Sequence, residues 1–242
     1  MPLVEKYLSE DVKNLVLESL SPEDLARVLG QAEFVKISRN KVLAPAFQPM
    51  DHLYFVTSGM ASLNLTLRDG AVIEIGVIGS EGTIGWQSLA GLDTGPIEAS
   101  VQIDMTAYRI KSAQMTALIE KIKPLRVAML RGVQGMFDQV AQAAACSQRH
   151  GSTQRLAKWL LMAADRSADP TLNISHETLS ILLGIRRAGV TVAMGELRRL
   201  GCVESGHSKI KITSRDRLES SACECYRTLE QEAQRRASLT AS

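Results

Sequence analysis

The chain has 242 residues, of which 45% are hydrophobic and 22% charged, a balance that supports two ordinary folded domains and excludes a chain disordered by composition. Its longest apolar runs, such as 160–164 and 181–183, fall far short of the roughly 20 residues a bilayer span needs. The opening MPLVEKYLSEDVK lacks the basic, apolar and small-residue order of a secretory signal, so the cytoplasm is the expected compartment and no membrane partner is expected.

The net charge of +2 hides an asymmetry. From Arg149 to Arg217 there are twelve Lys/Arg against six Asp/Glu, an excess of six, so the rest of the chain is acidic by four. A basic segment on an acidic chain points to a polyanionic partner.

In chain order, Ser21 followed by Pro22, Glu23 and Asp24, with Gly30 at the end, predicts a short helix over about 22–30. From 32 to about 110 the texture changes to short β-branched and aromatic segments: 34–37, 53–57, 61–67, 71–77, 99–103 and 107–110. Turn signals separate them, at Ser38-Arg39-Asn40, Ser58-Gly59, Asp69-Gly70 and the glycine-rich 79–85. The alternation of 63–67 suits a half-buried strand, and Asp69-Gly70 predicts a hairpin. Strands at this spacing imply an antiparallel sandwich or barrel. Helical patterning follows, first over 113–121 and then from Leu125 to about His150, with Pro124 at its start. Leu130, Val133, Met136, Phe137, Val140 and Ala144 recur every three or four residues along this long helix. They are the expected seam of a homodimer; Gly132 and Gly135 allow close approach or a bend. A further helix over 154–164 and a polar loop over 166–171 complete the approach to the basic segment.

That segment carries the sharpest local signals. Ser175 predicts an N-cap with Glu177 near the positive end of the helix dipole, and Leu179, Leu182 and Leu183 form an inward face. Gly184 suits the left-handed residue that ends a helix. A second helix begins near Arg186, buries Val190, Ala193, Met194 and Leu197, and ends at Gly201. A hairpin wing follows, in which Lys209 and Lys211 share one face and Ile210 and Ile212 the other. This is a winged helix-turn-helix, whose second helix reads base edges in double-stranded DNA. Arg186 and Arg187 stand at its start, where an arginine fork can bond guanine, and Thr191 lies one turn on. Ser175, His176 and Lys209 are placed for phosphates.

The four cysteines, Cys146, Cys202, Cys223 and Cys225, match no zinc framework by spacing. Cys223 and Cys225, the one close pair, read as reduced thiols on or beside a C-terminal helix, with a thiol redox protein as the alternative. No metal or cofactor is expected, and no nucleophile–base arrangement marks an enzyme.

Taken together, these elements resemble the Crp/Fnr superfamily of bacterial transcription regulators. The residues that carry the likeness are Tyr54-Phe55-Val56-Thr57-Ser58-Gly59, the long helix, and above all Leu182-Leu183-Gly184-Ile185-Arg186-Arg187-Ala188-Gly189-Val190-Thr191. The resemblance implies an α+β chain in three parts: an N-terminal antiparallel β-roll (cupin-like) sensor over 1–123, a long dimerisation helix over 124–150 and a C-terminal winged helix-turn-helix over 151–242. It also implies a homodimer on an inverted-repeat operator with half-sites about 34 Å apart, and RNA polymerase as a partner. Cyclic-nucleotide-binding members carry a glycine-rich phosphate cassette with a Gly-Glu pair and a later Arg-Ser/Thr-Ala triplet. Here the cassette position holds Gly79, Glu81, Gly82, Thr83, Gly85 and Trp86, with Trp86 where the ribose-binding glutamate would stand. Ile97-Glu98-Ala99 replaces the triplet, and Glu98 would repel a phosphate. The effector is left unidentified; a regulator that does not respond to cyclic AMP is expected, with a cyclic-nucleotide-responsive factor as the alternative. Ala188 and Val192 stand where some members carry polar base readers.

Overall fold

Helix α1 (Leu15–Glu18) and helix α2 (Pro22–Leu29) precede the first sheet in the computed structural model, which describes residues 12–167, 169–206 and 208–239. Residues 1–11 of the opening segment, on which the expectation about a secretory signal rests, and His207 of the wing turn lie outside the described residues. Ser21 caps α2 as its sequence predicts, accepting from the Asp24 amide at 3.2 Å. Asn14 is fully buried, caps α1, and donates to the carbonyls of Val56 at 2.8 Å and Gly82 at 2.9 Å. One amide side chain thus pins the N-terminal helix to the strand His52–Thr66 and to the connection that leads into the strand Thr83–Ile84.

The sheet strands are β1 (Glu33–Ile37), β2 (Val42–Ala44), β3 (His52–Thr66), β4 (Val72–Ile78), β5 (Thr83–Ile84) and β6 (Ile97–Lys111). They pair antiparallel in the order β1-β6-β3-β4, with β2 on β6 and β5 on β3. The antiparallel β-roll is therefore as expected. Asp69-Gly70 closes the β3–β4 hairpin, where the Leu67 carbonyl accepts from the Gly70 amide at 3.0 Å. The strand count differs. Segments 53–57 and 61–67, apart from Leu67, fall on one 15-residue strand, β3, and 99–103 and 107–110 belong to one 15-residue strand, β6. Gly59 does not turn the chain. Its φ is +81°, a Cβ there would collide with the Asp104 carbonyl, and the β3–β6 register shifts on both sides of it. A bulge and a turn call for the same residue, one free to take positive φ, so a local signal does not distinguish them.

Helix α3 (Ser112–Lys121) leads into α4 (Lys123–Arg149), 27 residues without a break and about 40 Å long. Gly132 and Gly135 do not interrupt it. Leu125, Ala128 and Met129 are buried against the roll. Further along, the Gln139 side chain treats β4 as a neighbouring strand would. Its Oε1 accepts from the Val77 amide at 3.1 Å and its Nε2 donates to the Val77 carbonyl at 3.1 Å.

The remaining elements are α5 (Ser152–Arg166), β7 (Thr171–Asn173), α6 (His176–Leu183), α7 (Arg187–Arg199), β8 (Val203–Gly206), β9 (Lys209–Ile212), α8 (Arg215–Ser221) and α9 (Cys225–Ser238). Strands β7, β9 and β8 form a small antiparallel sheet in that order. Strand β7, three residues long, begins at the end of what reads in sequence as a polar loop. Leu156, Leu160, Leu179, Val190, Met194 and Leu197 close this unit's core. Helix α9 then runs back to α4, where Arg236 pairs with Asp138 at 2.6 Å. Among the described residues, no single helix is long and apolar enough to cross a membrane.

Candidate nucleic-acid interface

The angle between α6 and α7 is set by local chemistry. Ser175 Oγ accepts from the Thr178 amide at 3.0 Å and starts α6. Gly184, at φ +58°, ends it, a backbone state that a side-chain-bearing residue adopts at a cost of about 1 kcal/mol or more. Arg186 is the extended N-cap of α7, whose axis turns 107° away from α6. Leu182, Leu183, Val190 and Leu197 are buried in the angle, so the outer face of α7 is left uncovered.

That outer face carries Arg187, Ala188, Thr191, Val192, Arg198 and Arg199, all exposed, with Val192 at 70%. Arg187 Nε lies 3.7 Å from Glu177 Oε2, and both side chains are exposed, a contact too solvated to hold the guanidinium. Thr191 Oγ1 donates to the Arg187 carbonyl at 3.1 Å and lies 3.2 Å from His176 Nδ1. A groove of about 330 Å³ between α6, α7 and the wing is lined by Ser175, His176, Glu177, Arg187, Arg198 and Lys209. Of the six residues read from sequence as DNA contacts, four share this groove. Arg186 and Thr191 flank it. The Ser175 hydroxyl is engaged in its cap and in a 2.9 Å contact with Thr178 Oγ1. Sequence reading misses Arg198, although it lies eleven residues after Arg187, three helical turns along the same face.

The glycine-rich cassette is arranged differently from an open pocket. Glu81, Gly82, Thr83 and Trp86 line a cavity of about 60 Å³ against α4 and α9, together with Val133 and Met136. Gly79 and Gly85 are not in its lining. Glu98 lies on β6 opposite Asn64 on β3, away from that cavity. The Glu81 carboxylate accepts from Arg166 at 2.7 Å and from the Gly79 amide at 3.0 Å. Burial alone would raise the Glu81 carboxyl, but the Arg166 charge and these hydrogen bonds outweigh it and hold it below the ordinary carboxylate range. A Cβ at Gly79 would lie 2.7 Å from Arg166 Cδ, so the cassette glycine makes room for an arginine from α5.

A second carboxylate joins the roll to the helical unit. Glu74 accepts from Trp159 Nε1 at 2.8 Å and from the Ser62 hydroxyl. Burial outweighs these bonds and pushes its pKa up to about 7. A carboxyl raised in the folded state favours folding most below its ordinary value of 4.5, and that contribution is lost as pH rises through about 7. Chemical denaturation should therefore show wild type losing stability relative to Glu74→Gln between about pH 5 and 7, by on the order of 3 kcal/mol. Parallel pH profiles for the two proteins would show that the carboxyl is not held in this way.

The candidate seam residues on α4 divide into two groups. Leu130, Phe137 and Ala144 are exposed, whereas Met136 packs on the roll's core and Val133 and Val140 are half-buried against the chain's own elements. The cysteines depart from what their spacing suggests. Cys223 does stand beside a C-terminal helix and Cys225 begins it, but both meet Cys146 from α4 in a buried cluster. The sequence separation of 77 between Cys146 and Cys223 is what hid this from any short-range motif.

Two family models match the chain: the cyclic nucleotide-binding domain over residues 34–122 and the Crp-like helix-turn-helix domain over 154–221. Comparison with curated proteins returned no match. Among solved structures, FixK2 from Bradyrhizobium japonicum is 18% identical, with a TM-score of 0.64 over 79% of this chain and 98% of its own. A CRP-family transcriptional regulator from Thermus thermophilus is 19% identical, with a TM-score of 0.65 over 78% of this chain and 96% of its own. The c-di-GMP responsive global regulator CLP of Xanthomonas campestris is 17% identical, with a TM-score of 0.63 over 80% of this chain and 100% of its own. At these identities the likeness to solved structures is one of fold. Joined to the two domain matches and to a capped, glycine-hinged pair of helices with a basic outer face, it establishes that the chain belongs to the Crp/Fnr superfamily of DNA-binding transcription regulators.

Proposed function

We propose that the protein binds an inverted repeat as a homodimer, with one α7 in each of two major grooves, and that it does so without a cyclic nucleotide. The observation that carries this reading is the uncovered face of α7, with Arg187 and Arg198 sharing a groove with His176 and Lys209. In this reading Arg187, with Arg186 beside it, bonds guanine O6 and N7. Val192 and Ala188 offer apolar contact to thymine methyls. Thr191 meets a base edge or a phosphate. Ser175 acts by holding the start of α6 so that its amide groups and His176 face a phosphate. Lys209 reaches a phosphate from the wing. Contact with RNA polymerase, implied by the family, belongs to the same reading.

Dimerisation is supported by the surface of α4. Val127, Leu130, Gln134, Phe137, Ala141, Ala144 and Gln148 are all exposed in the single chain and follow one another at alternating steps of three and four. That spacing is the seam of a two-stranded coiled coil. The two glutamines supply polar positions of the kind that fix register.

Independence from cyclic nucleotides is supported by the cassette. Its cavity of about 60 Å³ is well under the roughly 300 Å³ of a small-molecule pocket. The glutamate of the cassette is already held by Arg166, and Glu98 supplies no cation for a phosphate.

Selection of bound fragments from a random DNA pool, followed by titration at several salt concentrations, tests this. A two-fold sequence should emerge, and its affinity should not respond to cyclic AMP or cyclic GMP. Lys209→Ala should weaken all sequences alike and reduce the slope of log affinity against log salt by roughly 1 for each half-site. An asymmetric site, or a salt slope identical to wild type, would count against the arrangement.

A further inference from the structure

We propose that Cys146, His150, Cys223 and Cys225 form a tetrahedral zinc site that fastens the end of α4 to the start of α9. The inference stands independently of how the protein reads DNA.

The ligand atoms of these four residues all lie within 4.8 Å of one another. Zinc takes sulfur at about 2.3 Å and imidazole nitrogen at about 2.0–2.1 Å. Around a tetrahedral ion those bonds place two sulfurs about 3.8 Å apart and a sulfur and a nitrogen about 3.5 Å apart. Cys146 Sγ lies 3.6 Å from Cys223 Sγ, and Cys225 Sγ lies 3.4 Å from His150 Nδ1. Both separations match the edges of one such tetrahedron.

The elements that supply the ligands suit the task. Cys146 and His150 are four residues apart at the end of α4, so they rise from one face of the helix. Cys223 and Cys225 stand on either side of Glu224, the N-cap of α9, where the helix dipole favours thiolates. The three thiols are almost fully enclosed and pack on one another rather than into an aliphatic core. The surroundings are also those of a metal site. With Nδ1 facing the sulfurs, His150 presents Nε2 to Glu224 Oε1 at 3.2 Å, the carboxylate–histidine–metal relation that orients the ring. Gln142 Nε2 donates to Cys225 Sγ at 3.0 Å, a bond that steadies a ligating sulfur.

Ligand chemistry selects the ion. Three thiolates and an imidazole favour zinc over the hard cations, which take oxygen. The spacing admits one ion rather than a cluster of several irons, which four cysteines would hold. Four protein ligands leave no open position, so the site is structural. On binding, each cysteine thiol gives up its proton and the imidazole stays neutral. Because His150 and Gly151 lie between α4 and α5, the ion would sit where the long helix meets the DNA-binding unit.

The full chain, stripped of metal under reducing conditions, is to be titrated with cobalt(II) and then with zinc. One cobalt per chain is expected, with the intense visible bands of tetrahedral geometry and thiolate-to-cobalt charge transfer, displaced by one zinc. Cys146→Ser and Cys223→Ser should lose that spectrum. Glu224→Gln should bind with ~10-fold lower affinity. Cys202→Ser, whose thiol lies beside Ser221 and outside the cluster, should titrate like wild type. A wild-type chain with four reduced thiols that takes up neither metal overturns the proposal, as does the weak spectrum of an octahedral ion. So does a Cys146–Cys223 disulfide that persists in the protein isolated with stoichiometric zinc. The wild-type titration needs no variant to fold.

Discussion

Phe137→Glu is expected to yield a folded monomer that no longer protects its operator. Phe137 is 65% exposed in the single chain, so its replacement removes little from the protomer's own core. In the proposed dimer the same position faces its symmetry mate. Two carboxylates would then meet across the two-fold axis, and enclosing each unpaired charge costs several kcal/mol. Loss of the dimer also separates the two reading heads. Tethering a second head to a first raises effective affinity by roughly 100- to 10,000-fold, so operator binding should fall by a factor in that range. Sedimentation of the variant at micromolar concentration, beside footprinting on the selected operator, measures both effects. A variant that sediments as a stable dimer would show that the seam lies elsewhere on the molecule. Met136→Ala provides the contrast: its side chain packs on the roll, so it should lower stability while leaving the dimer in place.

Arg187→Ala should lose roughly 1–3 kcal/mol of specific binding for each half-site, about 5- to 150-fold, and relax the preference at one base pair. Binding to unrelated DNA should change much less, because that term comes from phosphates. Arg187→Lys is not expected to restore the preference, since an ammonium lacks the planar fork that meets two acceptors at once. Sequence selection repeated with each variant gives the answer. If the alanine variant recovered the wild-type consensus at wild-type affinity, α7 would not be the reading helix.

What could be read from the sequence was what local chemistry decides. The Ser175 cap, the Gly184 hinge and the alternating wing lysines are signals confined to a few neighbouring residues, and the helix-turn-helix and its wing follow from them. The antiparallel roll was legible for the same reason, though not its strand lengths. Gly59 permits a turn as readily as a bulge, and only the approach of Asp104 across the sheet decides between them. Strand β7 gave no periodic signal in three residues; it forms because β9 offers a free edge. The candidate seam was legible as a helical repeat, but not the face that the roll already covers. Contacts made at a distance were out of reach. Glu81 finds Arg166 at a separation of 85 residues, as Glu74 finds Trp159. The four groups of the cysteine–histidine cluster likewise come from two segments that no spacing rule connects.

The pairing of Gln139 with Val77 has a consequence for solubility. Strand β4 is the outermost strand of its sheet and carries Val72 and Ile73 exposed. Such an edge invites strand addition by another chain, the first step of edge-to-edge aggregation. By occupying both the amide and the carbonyl of Val77, the Gln139 side chain blocks that template near the strand's C-terminal end. The long helix thus acts as a guard on the sheet as well as a spacer between the two units. A change that levers the helix away would expose a sticky edge, and the protein would then be lost to precipitation before any change in operator choice could be read.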